Sequence, residues 1–446
     1  MAVLSLVAGV SLARGDKRLP AASQGSSIKA DHAGGFKFSR LPEPLRGSDF
    51  QSQPAAKVKL GRLLFYDPVL SGSYRVSCAT CHHHDRASSN GLPIVNKTAD
   101  QPDAAALPDL SPYLALRPSA RHAPALFNLG HSSFKALFWG GRVAQGHDGR
   151  LITPAGASLP AGLDGVLAAQ ALFPAVTRDE LVGTVRTDLA ARADAGGEPA
   201  IWAALVERVA ALDAYTPLFR AAYPQSNGQM TISGIANAIG AFVATEWRAD
   251  QSPYDAFLRG NVAALTASQR RGLAVFYGPG GCASCHAGAL QSDQRYHAVG
   301  LPLWPVTVDL KTDEKQLADV LLGRARATGR EVDRFRFRTP SLRNIAVTAP
   351  YGHAGSFPTL PEFLNAHISP TRGLRRFLRT QFGARPPQVV ADLAAELVAR
   401  NTMPNVRLTQ QQKADLLAFL NSLTDQRSLA GVLGKPTEVP SNLSID

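Results

Sequence analysis

Long apolar runs are missing from this chain: none reaches the roughly 18 residues that cross a bilayer, which excludes a polytopic membrane protein. Basic residues outnumber acidic ones by 47 to 35, a formal charge of +12, but they are scattered, without the dense Lys/Arg stripe of a nucleic-acid binder. That balance suits a soluble protein that meets acidic partners. Strand signals are short and few, and no βαβ pattern is present. Methionine is scarce, with only Met1, Met230 and Met403, so thioether ligands have few sources. What is present is enough for a core: 45% of the 446 residues are hydrophobic and 18% charged, a length and composition that suit two or three folded domains.

The four cysteines form two pairs, Cys78-Ala79-Thr80-Cys81-His82 and Cys282-Ala283-Ser284-Cys285-His286. C-x-x-C-H is the covalent attachment site of a c-type haem, where two sulfurs form thioethers and the adjacent imidazole ligates iron. A shared zinc site is disfavoured because the pairs stand 204 residues apart. A thioredoxin-like site needs the missing βαβ unit. Disulfides remain possible but leave both histidines unexplained. With 11 His in 446 residues, a His after both pairs arises by chance roughly once in 1,600. Two covalently bound haem c groups are expected.

Haem attachment of this kind implies export to the periplasm. Met1 to Ala13 offers an apolar h-region, and Ser11-Leu12-Ala13 a small-x-small cleavage pattern, though no basic residue precedes Arg14. Beyond it the chain reads as a duplication. Gly61-Arg62-Leu63-Leu64-Phe65-Tyr66 precedes the first cysteine pair and Gly272-Leu273-Ala274-Val275-Phe276-Tyr277 the second. Both read as helices, the second opening on the capping box Thr266-Ala267-Ser268-Gln269. Ile232 to Val243 and Thr409 to Leu423 are further helices by their apolar period. Residues 86–120 and 143–165, rich in Pro, Gly, Ser and Asp, read as loops. The expected organisation is 1–49 export signal and flexible segment, 50–250 first haem domain, 251–430 second haem domain and 431–446 tail.

Leu60 to Pro68, Leu70-Ser71 and the first haem motif resemble the opening of the bacterial di-haem cytochrome c peroxidase/MauG family. Further matches follow in order: Arg121 to Asn128, Phe138 to Arg142, Gln170-Ala171 with Pro174 and Glu180, the second haem motif, Phe337 to Asn344, and Thr348 to His353. The resemblance covers roughly residues 56–424 and implies a mostly α fold of two cytochrome c-like domains packed about a shared interface, one haem in each.

It also assigns roles. His82 and His286 become the iron's proximal ligands. Many members carry a removable distal His on the loop after the first haem motif; here Thr98 stands at that spacing and residues 86–120 contain no His. His83 and His84 follow too closely to reach the opposite face and read as polar turn residues. The first haem is therefore expected to be open to peroxide. Glu180, by itself a solvated charge in a helix opening at Thr177, matches the distal acid, with Gln170 and Pro174 at the family's spacing before it. Trp139 matches the aromatic residue between the haems. Where peroxidases carry Met and MauG carries Tyr, fourteen residues after His353, this chain has His367, expected to ligate the second iron. Calcium, bound between the haems in some members, has Thr348 and Pro350 for carbonyl ligands, but His122 replaces the Asn, and imidazole suits a hard cation poorly. The expected activity is reduction of hydrogen peroxide, with electrons from a small redox protein (a cytochrome c or a cupredoxin). Peroxide-dependent oxidation of a side chain on a protein substrate is the alternative, and a non-catalytic electron carrier the third. Neither nucleic acid nor a membrane span is expected.

Overall fold

A computed structural model describes residues 41–92, 121–183, 187–303 and 322–445. The leader and Thr98 lie outside these residues. The first half contains helices α1 (Ala55–Tyr66), α2 (Val166–Ala171), α3 (Asp188–Ala210, broken at Gly197), α4 (Tyr215–Ala222) and α5 (Ile232–Glu246). The second contains α6 (Pro253–Leu258), α7 (Ala267–Tyr277), α8 (Leu360–His367), α9 (Pro370–Phe382), α10 (Gln388–Arg400) and α11 (Gln410–Asn421).

Each half is organised around one crossing of two helices, α1 on α5 and α7 on α11. Glycine makes both crossings possible. A Cβ on Gly61 would lie 1.7 Å from the Ala238 carbonyl oxygen, and one on Gly272 would lie 1.9 Å from that of Asp415. Aromatic rings fill the space beside each crossing. Phe65 meets Phe242 and Trp247 in the first half, and Phe276 and Tyr254 meet Phe419 in the second. Each such ring contributes about 1.5–3 kcal/mol by leaving water. The capping box on Thr266 starts α7 as its sequence indicates, and a second one on Thr409 starts α11.

An asparagine locks each crossing from outside. Asn128 and Asn344 both adopt φ of 60°, a left-handed conformation that Asn tolerates. The Asn128 amide donates to the Ala249 carbonyl and accepts from the Ala249 N–H, both at 2.8 Å. Asn344 donates to Ser428 Oγ and accepts from the Asp425 N–H, also at 2.8 Å. The same device therefore closes the chain that leaves α5 and the chain that leaves α11.

Strands are few and short. β1 (Ala136–Leu137), β2 (Val143–Gln145) and β3 (Leu151–Ile152) form an antiparallel sheet in chain order, with Leu137 opposite Val143 and Gln145 opposite Leu151. β4 (Tyr296–His297) pairs antiparallel with β5 (Phe337–Arg338). Part of segment 143–165 is thus strand rather than loop; two or three residues are too few to show alternation.

Three other expectations need correction. The segment 431–446, expected to be a flexible tail, is packed on the first half as far as it is described. Val439 is buried in that core, Leu433 and Gly434 donate backbone N–H bonds to the Glu246 carboxylate at 2.8 Å, and Ser441 Oγ donates to Asp67 at 2.6 Å. Glu246 and Asp67 are fully buried carboxylates that need donors, and the returning chain supplies them. At the other end, Leu45 is likewise buried rather than part of a flexible segment. The basic residues are not all scattered either. Arg372, Arg375, Arg376 and Arg379 lie along one exposed face of α9, opposite buried Gly373, Leu374, Phe377 and Leu378. The interleaved apolar residues hide that stripe in the linear sequence.

Candidate functional site

One continuous cavity of about 740 Å³ runs between the halves and reaches both C-x-x-C-H motifs. That is towards the large end of ligand pockets. Cys78–Cys81 forms a single helical turn and Cys282–Ser284 a 3-10 turn, and each delivers its histidine to the wall. None of the four cysteines is paired in a disulfide.

The two histidines are held alike. His82 Nδ1 lies 3.0 Å from the Ser88 carbonyl oxygen, and His286 Nδ1 lies 3.0 Å from that of Gln291. Ser88 and Gln291 are fully buried and adopt φ of 55° and 47°, which turns the chain back under the imidazole. A carbonyl on Nδ1 fixes the proton there and leaves Nε2 with its lone pair. Burial pushes both histidines below the usual range, which favours the neutral ring that ligation requires.

Beyond this the halves differ. His82 shares its end of the cavity with Gln170 on α2, Pro174, and Glu180 in the π-helical turn Arg178–Val182. His83 and His84 sit at the turn His84–Arg86 and do not line the cavity, in keeping with a turn role. His286 instead faces His367, the last residue of α8, with ring centroids 6.3 Å apart. Phe363, one helical turn earlier, stacks on His367 at 5.2 Å and sets its plane. Burial and the nearby His286 push His367 down to about 4. Its Nδ1 is buried without a partner. Met403 also lines the cavity.

Trp139 stands in the seam between the halves. Its indole N–H donates to the His122 carbonyl at 3.3 Å, its own carbonyl accepts from the Arg338 N–H at 2.8 Å, and its ring meets His353 edge-on at 6.3 Å. His353 stacks on Phe337 at 3.9 Å, and its Nδ1 lies 3.0 Å from the Arg121 guanidinium. The sequence marked His353 only as part of a motif; nothing local showed that it completes this cluster. Thr348 and Pro350 line the cavity nearby, on either side of the cis Ala349-Pro350 bond. His122 is turned elsewhere: Nδ1 is 2.8 Å from the Leu92 carbonyl and Nε2 is 3.3 Å from Ser89 Oγ. With both ring nitrogens engaged, and nitrogen a poor donor to calcium, the residues do not fit a calcium site.

A mostly helical protein of two haem domains is the class that this duplicated architecture defines, and comparison with known proteins agrees. The family described as di-haem cytochrome c peroxidase matches residues 55–263. The methylamine utilization protein MauG of Methylorubrum extorquens is 26% identical over 384 residues, which cover 86% of this chain and 82% of MauG. Cytochrome c551 peroxidase of Pseudomonas aeruginosa is 28% identical over 321 residues, 71% of this chain and 73% of that protein. The crystal structure of a MauG-like protein associated with microbial copper homeostasis superposes with a TM-score of 0.57 at 27% identity, covering 88% of this chain and 95% of that one. The chain belongs to the di-haem cytochrome c peroxidase/MauG family and is a di-haem peroxidase-like oxidoreductase.

The family implies two haem c groups, and the residues present fit them. First-row metal–imidazole bonds of about 2.0–2.1 Å place the ring centroids of two imidazoles on opposite sides of one metal about 6.4 Å apart. The observed 6.3 Å between His286 and His367 matches that spacing. The cavity wall also holds Arg338, whose Nε is buried without a partner, a group that the carboxylates of a porphyrin edge can satisfy.

Proposed function

We propose that this protein is a periplasmic di-haem peroxidase that reduces hydrogen peroxide to water at the first haem, with electrons drawn through the second. Cys78 and Cys81 would hold the first haem covalently with His82 as its iron ligand, and Cys282, Cys285 and His286 would do the same for the second. The observation that carries the reading is the unequal company of the two histidines: His367 stands 6.3 Å from His286, whereas His82 shares its pocket with Glu180 and Gln170. When bound, the haems supply redox-active iron, one in each half.

The chain's own residues supply the rest. Reduction of H2O2 consumes two electrons and two protons and yields two waters. The Glu180 carboxylate takes the proton from one peroxide oxygen and returns it to the other, work in which a positioned acid–base group contributes about 10²–10⁴-fold. The Gln170 amide orients the peroxide. Pro174, Leu181 and Val243 wall this end of the pocket and limit water there. The Ser88 and Gln291 carbonyls keep each proximal ring in one orientation. Trp139, placed between the halves, relays electrons through its indole. A small redox protein, a cytochrome c or a cupredoxin, is the electron source.

His367 in place of a thioether favours a second reading. Imidazole stabilises ferric iron relative to Met and so lowers the potential of the second haem. That eases storage of an oxidising equivalent and suits MauG-like, peroxide-driven oxidation of a side chain on a partner protein. Peroxide added to the oxidised holoprotein separates the readings. Turnover only with a reduced donor supports peroxide reduction, and a long-lived spectral species without any reductant supports protein oxidation. Two six-coordinate irons that ignore peroxide would leave an electron carrier and overturn both.

A further inference from the structure

The exposed face of α9 has no role in the fold. Arg372, Arg375, Arg376 and Arg379 recur at i, i+3, i+4 and i+7, and Arg385 follows just beyond the helix. Like charges at these spacings repel and weaken a helix, and a cation in the first turn, as Arg372 is, opposes the macrodipole. No hydrogen bond or ion pair joins any of these five side chains to a described residue. Several other arginines of the second half are tied down. Arg334 and Arg400 both pair with Glu331 and Glu396, and Arg271 pairs with Asp415. Residues 363–391, which include all of α9, contain no Asp or Glu.

The position of this face gives it a use. α9 follows α8 after two residues and packs against it so closely that a Cβ on Gly373 would lie 2.6 Å from Ala366 Cα. Ala366 precedes His367, so the arginines stand on the helix that backs the ligand of the second haem. Seven residues of helix span about 10 Å, the scale of a patch on a small protein. Guanidinium groups pair with carboxylates in a two-pronged geometry, and a concentrated positive field steers an acidic partner. A membrane surface would call for apolar anchors as well, yet from residue 363 to 400 the one large hydrophobic side chain that is strongly exposed is Val389.

We propose that the arginine face of α9 is the docking surface for an acidic small redox protein that passes electrons to the second haem. The proposal rests on the reading of His286 and His367 as ligands of that haem.

The test uses the di-haem holoprotein, an acidic cupredoxin or c-type cytochrome as donor, and a basic one as control. Calorimetric titration at low salt should show binding of the acidic donor that weakens about tenfold in Arg375→Glu/Arg376→Glu and is largely kept in Arg375→Lys/Arg376→Lys. Raising the salt should abolish the difference between wild type and the Glu variant. In stopped flow, reduction of the second haem by the acidic donor should slow in parallel, while reduction by neutral hydroquinone stays unchanged. Unchanged binding in the Glu variant, tighter binding of the basic donor, or selective loss of binding to phosphatidylglycerol vesicles would overturn the proposal. The haem reading has its own readout: loss of the paired-imidazole spectrum in His367→Ala is expected, and an unaltered spectrum would refute that ligand while the binding data still judge the docking face.

Discussion

His82 and His286 are held by the same means, a buried residue with positive φ whose carbonyl lies 3.0 Å from Nδ1, yet they look across the cavity at different chemistry. The first histidine shares its pocket with a carboxylate and a primary amide, and the second faces another imidazole. Duplication supplied two equal frames, each a helix crossing over glycine with an asparagine lock. Function resides in what was changed on the far side. On the function proposed above, the frame is the stable component, and the distal residues divide the labour between binding an oxidant and passing electrons.

The sharpest way to break that division is to remove one frame's attachment. Cys282→Ala/Cys285→Ala should leave one haem per chain that still responds to peroxide, and Cys78→Ala/Cys81→Ala should leave one that does not; haem content and absorbance report both. Next is His367→Met, which restores a thioether and should raise the second potential by about 0.2 V, close to 4.6 kcal/mol for one electron, within the ~0.8 V that axial ligands span. A redox titration that finds both potentials unmoved would remove His367 from the iron. Glu180→Gln should slow the reaction with peroxide by about 10²–10⁴-fold while the second potential stays put, since its effect is confined to the first pocket.

Smaller effects concern the frames. Gly61→Ala and Gly272→Ala each force a methyl group against backbone and should cost about 1–3 kcal/mol, equally in the two halves, as thermal melts of the holoprotein will show. The halves should also differ in pH response. Asp415, hydrogen-bonded by Arg271 and Ser268 across the α7–α11 crossing, is held down at about 2. A depressed carboxylate adds stability above its unfolded value near 3.8, and that stability is lost as pH falls towards 2. Melting followed from pH 5 to about 2 should show this loss in the wild type and a flatter profile in Asp415→Asn.

Much of the frame was legible in the sequence because its chemistry is local. Cys-x-x-Cys-His is contiguous, the capping box at Thr266 spans four residues, and α5 and α11 show their apolar period. What could not be read depends on distant residues meeting. The asparagine locks join Asn128 to Ala249 and Asn344 to Asp425, over more than 80 residues in each case. The Trp139–His353–Phe337–Arg121 cluster draws on four separated segments. Segment 431–445 has the composition of a tail, and the buried Glu246 and Asp67, with Val439 in the first core, explain why it is packed. The arginine stripe of α9 appears once the helix is wound.

Electron paramagnetic resonance of the oxidised holoprotein, recorded before and after one equivalent of peroxide, addresses the asymmetry most directly. The expected result is one high-spin signal that peroxide alters and one low-spin signal with the signature of two imidazoles. Two low-spin signals that peroxide leaves unchanged would contradict it, as would a His–Met signature placing Met403 where His367 is assigned.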